Sequence, residues 1–261
     1  VIIPAEIQLA TAIVLIYLLD CLTLLYVNEG VVERRGSGWR IGFGSTQPWI
    51  AGKRVCLLNP FTPLTDACKA SWQIRDVFDG RIAAESAKAR LDHRSAILRK
   101  LSPYVVMVWV LVLIALPVAL CVWNTLGFLC IAALAWLSIW ALVLKFWQLR
   151  SALDLSRGEF LLIVLECLAC PPCAANLVRK LSMRTPLGAD LAAFAGILGD
   201  RDAAIGAFAR IDHEVKVRLV FLEPETPEYE RAVQYRTMLA AERERLGDDA
   251  DRMIDGKKES Q

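Results

Sequence analysis

The chain has 261 residues, 56% of them hydrophobic and 22% charged, with a mean hydropathy of +0.41 and a formal charge of +2. So apolar a composition excludes an ordinary soluble domain, and the charged residues that remain must be segregated along the chain. A balance so close to neutral, with no basic cluster interleaved with aromatics, excludes nucleic acid as a partner.

The first residue is Val, so the native start is expected upstream or removed. The first apolar stretch, Ile7–Val27 (IQLATAIVLIYLLDCLTLLYV), has the length and polarity of a membrane helix. Asp20 is its only acidic residue, and an intramembrane carboxylate is a candidate functional group because burying it is costly. Lys145 sits at similar depth in a later span, so an Asp20–Lys145 ion pair is expected, with a proton or ion path as the alternative reading.

Residues 28–64 read as a small cytoplasmic β-meander. Its strands are expected at Val31–Arg34, Arg40–Phe43 and Val55–Leu58, divided by glycine-rich turns. Gly42 and Gly44 do not make a nucleotide loop, since no GxxxxGK[ST] accompanies them. Residues 65–102 read as a charged cytoplasmic helix. Its thin apolar stripe of Trp72, Val77, Phe78, Ile82, Leu91, Leu98 and Leu101 suits packing against one partner surface. His93, within it, is expected in solvent.

Two further spans, Pro103–Trp123 and Leu126–Leu149, form a transmembrane hairpin over 103–149, turning at Asn124 and Thr125. Ser102 and Pro103 are an N-cap and first-turn proline for the first of them. Pro117 predicts a kink, and Ala115 and Ala119 make a small-xxx-small step that lets another helix approach. Segment 28–102 carries 13 Lys/Arg against 7 Asp/Glu, whereas the N-terminal tail and the 124–125 turn carry no Lys or Arg. The positive-inside bias therefore places 28–102 and everything after Leu149 in the cytoplasm, with the N-terminus outside. Tyr26, Tyr104, Trp123 and Trp147 fall at the interfaces, where amphipathic rings are favoured.

Residues 150–246 read as a helical region in the cytoplasm and at the membrane interface. Helices are expected to open at Thr185–Pro186, Asp200 and Thr226–Pro227, and residues 247–261 to form a disordered tail. Inside this region Phe160–Leu177 is nearly long enough to span. Glu166 and the Pro171–Pro172 pair lie at its middle, so it reads as two short helices meeting at the prolines. The run ECLACPPC also carries chemistry to be weighed. Cys170 and Cys173 have the Cys-x-x-Cys spacing of thiol oxidoreductases. With Cys167 they match the first three ligands of an iron–sulfur run, but Leu177 stands where the fourth cysteine belongs. His93 and His213 are the only histidines available to a zinc site. No metal and no cofactor are expected, and the cysteines read first as small residues around a proline-fixed turn.

Together these features give a membrane all-α fold of three transmembrane helices, with a small cytoplasmic β-rich segment and a helical cytoplasmic C-terminal region. The expected role is non-enzymatic: an accessory or scaffold subunit of a bacterial inner-membrane assembly. Its partners would be the lipid bilayer and other membrane or cytoplasmic protein subunits. A membrane-bound thiol oxidoreductase using Cys170 and Cys173 is the alternative, and a small transporter or channel subunit a further one.

Overall fold

The computed structural model describes residues 4–36, 38–47, 50–74, 80–122, 125–198 and 200–258, with side chains to residue 246. The interfacial Trp123, turn residue Asn124, and stripe residues Val77 and Phe78 lie outside the described residues. In chain order the elements are α1 (Ala5–Asp20), β1 (Leu22–Leu25), β2 (Glu29–Arg35), β3 (Gly38–Gly42), β4 (Arg54–Leu57) and β5 (Ala67–Ser71). Next come α2 (Gly80–Leu98), α3 (Ser102–Val110), α4 (Leu116–Val122), α5 (Thr125–Leu149) and α6 (Arg157–Ala169). The chain ends with α7 (Pro171–Ala174), α8 (Leu177–Met183), α9 (Leu191–Gly196), α10 (Arg201–Leu219) and α11 (Pro227–Lys258). It is mostly helical, at 67%, with little sheet.

The chain folds into two compact units, each assembled from separated stretches. The first comprises the N-terminal segment to Thr23, Cys56–Ala67 and Leu91–Thr185. Its frame is a helical hairpin. A 3₁₀ turn, Arg99–Leu101, leads directly from α2 into α3, so Ser102 lies within a continuing helix and does not cap a new one. Pro103 is tolerated there because it follows the 3₁₀ turn, in which Ser102 N–H bonds Arg99 O and the i→i−4 ladder is already interrupted. A π-helical turn, Leu111–Ala115, joins α3 to α4 just before Pro117. Pro117 cannot donate to the carbonyl four residues back, and its ring crowds that carbonyl; the wider turn accommodates both effects. The expected kink is thus a π-turn.

Among the described residues, two helices are long and apolar enough to cross a membrane: the continuous run Gly80–Val122, through its apolar half, and α5. The latter is apolar on every side. Ile139, Leu142 and Phe146 are buried against α3 and α6, while Leu129, Leu137, Leu144 and Trp147 face outward. A helix apolar all round belongs in lipid or in a large core. Phe146 and Trp147 both meet Phe160 of α6, with ring centroids 4.9 and 5.1 Å away.

The expected first span is cut short. The helix stops at Asp20, and Leu22–Leu25 becomes β1, which pairs with β4. Sixteen residues rise about 24 Å, short of the roughly 30 Å hydrocarbon core. The charge that ends the helix is engaged by partners at that end, as described below. The small-xxx-small expectation fits at Ala119, which is buried in α4, the element α1 packs on.

The second unit comprises Leu24–Val55, Cys68–Arg90 and the chain from Pro186. The β2–β3 hairpin pairs Val31 with Gly42 through to Arg35 with Gly38, turning at Gly36, whose φ of +59° is left-handed. Among the described residues no meander forms: β4, the third expected strand, pairs with β1, and β5 joins on the other side of β2, giving the order β3-β2-β5. The charged-helix expectation therefore fails over its first part, because Ala67–Ser71 forms a strand; α2 is described from Gly80. Of the predicted stripe Ile82 is exposed, whereas Trp72, Leu91, Leu98 and Leu101 are buried as expected, with Ala84 and Ala87 also buried on α2; His93 is exposed. Gly30 is required by contact. A Cβ there would stand 2.9 Å from Leu191 Cδ2 and 3.1 Å from the Gly42 carbonyl oxygen.

The C-terminal helices supply the rest of this core. Asp190, five residues after the expected start, caps α9, accepting from the N–H groups of Ala192 and Ala193. Asp200 and Thr226 sit before α10 and α11 as expected, accepting from Ala203 N–H and Tyr229 N–H. Along α10, Ala204, Ala207, Phe208, Ile211 and Val215 are buried at helical spacing, and α11 answers with Ala232, Tyr235 and Leu239. α11 continues to Lys258, so residues 247–258 are helical where a disordered tail was expected. Arg54 and Glu214, both buried, meet at 2.6 Å, and Arg210 reaches the same carboxylate oxygen at 3.2 Å. Removing Glu214 would strand the buried Arg54, so Glu214→Leu should cost about 3–5 kcal/mol. A thermal melt of the purified chain, expected to fall by many degrees, measures it.

Candidate functional site

The cysteine segment lies in the first unit and folds as a corner. α6 opens on a capping box, in which Ser156 Oγ accepts from Glu159 N–H and the Glu159 carboxylate accepts from Ser156 N–H. The Ser156 hydroxyl donating to that carboxylate at 2.7 Å, and then the Ser156 N–H, hold the Glu159 carboxyl below its usual range. The helix ends at Ala169 because a residue before proline is pushed out of the helical region; Cys170 has φ −134° and ψ 84°. Pro171 and Pro172 then occupy the first turn of α7, where no N–H is needed. Cys170 N–H donates to Glu166 O at 3.0 Å, Cys173 N–H to Cys170 O at 2.8 Å, and Asn176 N–H to Cys173 O at 3.1 Å. Ala174 and Ala175 are fully buried, which lets α7 sit close against α1 and α3. The two short helices meeting at the prolines are as the sequence implies.

Around this corner the first unit gathers charged groups, from the buried Arg179 to the partly exposed Glu166. Lys180 Nζ lies 2.8 Å from Asp20 Oδ1 and 2.5 Å from Glu166 Oε1. Asn176 Nδ2 donates to Asp20 Oδ2 at 2.9 Å. Arg179, 3% exposed, donates to the carbonyls of Asn59 and Thr62 at 2.6 and 2.9 Å, and to Asn176 Oδ1 at 3.2 Å. Tyr17 Oη donates to Pro60 O at 2.5 Å and accepts from Trp109 Nε1 at 3.0 Å. The end of α1, the loop 59–62 and the start of α8 are thereby tied into one hydrogen-bonded knot.

Asp20 does find a lysine, but it is Lys180. Lys145, the expected partner, is half-buried and donates to Gln148 Oε1 at 3.1 Å. Physically, the loop 59–62 and the α7–α8 corner close over the end of α1, bringing Lys180 to a carboxylate that would otherwise be stranded. Burial opposes the charge on Lys180, yet its bonds to Asp20 and Glu166 outweigh that and hold its pKa above the usual lysine range.

Cys170 is half-buried and its Sγ is 2.6 Å from that of the buried Cys173. Burial, then the contact with Cys170, pushes the Cys173 thiol above its usual pKa, and burial pushes the Cys167 thiol to about 12. Cys167 faces the hydrophobic core and takes no part in the pair. Ligand atoms of Asp20, Glu166 and Cys173 lie within 4.8 Å of one another, the spacing of a metal site. The Lys180 ammonium bonds both carboxylates, so a cation already serves them and a metal would have to displace it.

Sequence reasoning singled out Asp20, Cys170, Cys173 and both prolines, and the fold brings all of them to this corner. It missed Asn176, Arg179, Lys180 and the carbonyls of Asn59 and Thr62. The available signal was the crowding of Glu166, Asn176, Arg179 and Lys180 around an apolar segment that also had to bury. Comparison with known protein families, curated proteins and solved structures yields no match.

Because Asp20 and Lys180 are mutual partners, Asp20→Asn and Lys180→Met should each lower stability in detergent by about 3 kcal/mol. The double variant should recover part of that loss in a thermal unfolding cycle, whereas strictly additive losses would disprove the coupling. Replacing Pro171 and Pro172 by Ala should also destabilise the chain, by letting α6 run through the corner and unseat α7. Replacing Cys170 and Cys173 by Ala should leave the melting temperature nearly unchanged, since both positions need only a small side chain.

Proposed function

We propose that the chain is a multi-pass inner-membrane protein that serves as an accessory or scaffold subunit of a membrane assembly. The observation that carries this reading is how the first unit distributes polarity. Its charges turn inward upon one another at the Asp20–Lys180 corner, while large apolar side chains face outward on α1, α5 and α6. Leu15 and Leu19, Leu137 and Leu144, and Leu161 and Leu165 are all exposed. Such a surface suits lipid or a protein partner within the membrane. α1 packs on α4 and on α7, which suits a third, short membrane segment beside the hairpin. The pairing of Asp20 with Lys180 puts the end of α1 on the same side as the basic region assigned to the cytoplasm.

Two measurements test the reading. In a cysteine-free background, a Cys at Thr125 should react with a membrane-impermeant maleimide from outside intact cells, and one at Lys216 should not; the reverse pattern would overturn the orientation. In native membranes the chain should migrate on blue-native gels as a discrete species well above its own 29.0 kDa. Migration as a monomer would overturn the accessory role.

A further inference from the structure

Beyond that role, the geometry points to a second property of the same unit. We propose that Cys170 and Cys173 form an exchanging dithiol that reduces the disulfide bond of a small-molecule or protein substrate, with Asp20 accepting the proton of Cys173.

Three observations combine. The two sulfurs are adjacent, and they are held so by a corner that Pro171 and Pro172 fix independently of the thiols. Their exposure is unequal: Cys170 is half-buried and can be met from outside, while Cys173 is buried behind it. The buried thiol has carboxylates of Asp20 and Glu166 within 4.8 Å, a separation that one water spans. That asymmetry matches the division of labour in thiol–disulfide exchange, where an accessible thiolate attacks and a protected neighbour resolves. A buried thiol with a raised pKa reacts only if its proton is removed at the moment of attack. Of the two carboxylates Asp20 is the more enclosed, with 16% of its side chain exposed against 40% for Glu166. The Lys180 ammonium between them offsets the negative charge that would develop on Cys173.

The step balances as follows. The Cys170 thiolate attacks one sulfur of R–S–S–R′, forming a Cys170–S–S–R bond and expelling R′–S⁻, which takes up the proton Cys170 released. Cys173 then gives its proton through water to Asp20, and its thiolate attacks Cys170 Sγ. The Cys170–S–R bond breaks, and R–S⁻ leaves with the proton returned by Asp20. The substrate disulfide is reduced to two thiols by two electrons, and the protein dithiol is oxidised to a Cys170–Cys173 disulfide. A second thiol pair would reverse the sequence and regenerate the dithiol.

The test uses the full chain in native membranes, equilibrated with reduced and oxidised glutathione, quenched by alkylation and mapped by mass spectrometry. A reversible 170–173 disulfide is expected, with Cys121 and Cys130, both exposed and without a thiol neighbour among the described residues, giving only glutathione adducts. Cys173→Ala should trap glutathione on Cys170, and Cys170→Ala should leave Cys173 unmodified. Asp20→Asn should slow the resolving step about a hundredfold, with the rate recovering as pH is raised. No 170–173 disulfide in any buffer that modifies Cys121 would overturn the proposal, and an unchanged rate in Asp20→Asn would overturn the role of Asp20. If that variant does not fold, the wild-type resolving rate decides. A rate flat between about pH 6 and 9 supports an internal base, and one rising tenfold per pH unit overturns it. Failure of these outcomes leaves the accessory reading standing, since that rests on the apolar exterior and the membrane topology.

Discussion

The first unit depends on one arrangement: a carboxylate at the end of an apolar helix, answered by groups from a corner far along the chain. Asp20 terminates α1, and nothing in its own segment can neutralise it. Lys180 and Asn176 supply that answer, and Arg179 beside them holds two carbonyls of the loop 59–62. Because a buried ion must be paired and its remaining lone pairs satisfied, the position of each element here is fixed by the others. The apolar contacts that surround the knot are numerous but carry little direction. Leu, Val and Ile faces of α3, α5 and α6 can slide; an Arg179 fork on two carbonyls cannot.

Seen this way, the prolines and the small residues have a common purpose. Pro171 and Pro172 stop α6 and start α7, turning the chain so that Asn176, Arg179 and Lys180 all face α1. Ala174 and Ala175 allow the backbone to approach closely enough for those side chains to reach. A longer residue at either alanine would hold the corner away from Asp20. The cysteines fit the same requirement of small size at 167, 170 and 173, which is why their packing alone says nothing of their chemistry. What distinguishes Cys170 and Cys173 is adjacency to each other and, for Cys173, to the carboxylates.

The helical hairpin, its proline irregularity and the break at Cys170 were legible in sequence, since each rests on local rules: apolar length, a missing N–H, the restriction before proline. The caps at Asp200 and Thr226 were legible for the same reason. What was not legible was set by contacts distant in sequence. The apolar run through Val27 looks like one span, yet β1 leaves it to pair with β4, some thirty residues away. Ala67–Ser71 looks helical in a charged context, but its alternate residues bury beside β2. Depth along a helix does not set proximity: Lys145 sits at a depth similar to that of Asp20 yet bonds Gln148, while the non-spanning corner delivers Lys180 to the carboxylate.

The second unit solves a comparable problem with different means. Asp190 accepts from the N–H groups of Gln73, Ala192 and Ala193 and from Tyr235 Oη, so one carboxylate joins the exit of β5, the start of α9 and the middle of α11. Burial nevertheless raises its pKa, as desolvation exceeds what those donors return. Tyr235 in turn stacks on Trp72 at 6.4 Å, which places an aromatic pair directly over the junction. In each unit, then, a single acidic side chain collects donors from sequence-distant segments while apolar packing fills the space around it. Apolar packing sets how much each unit buries, and the shared carboxylate sets which segments meet. An isosteric amide at Asp20 or Asp190 would preserve the volume but lose part of that convergence, because it trades an acceptor oxygen for a donor facing donors already in place.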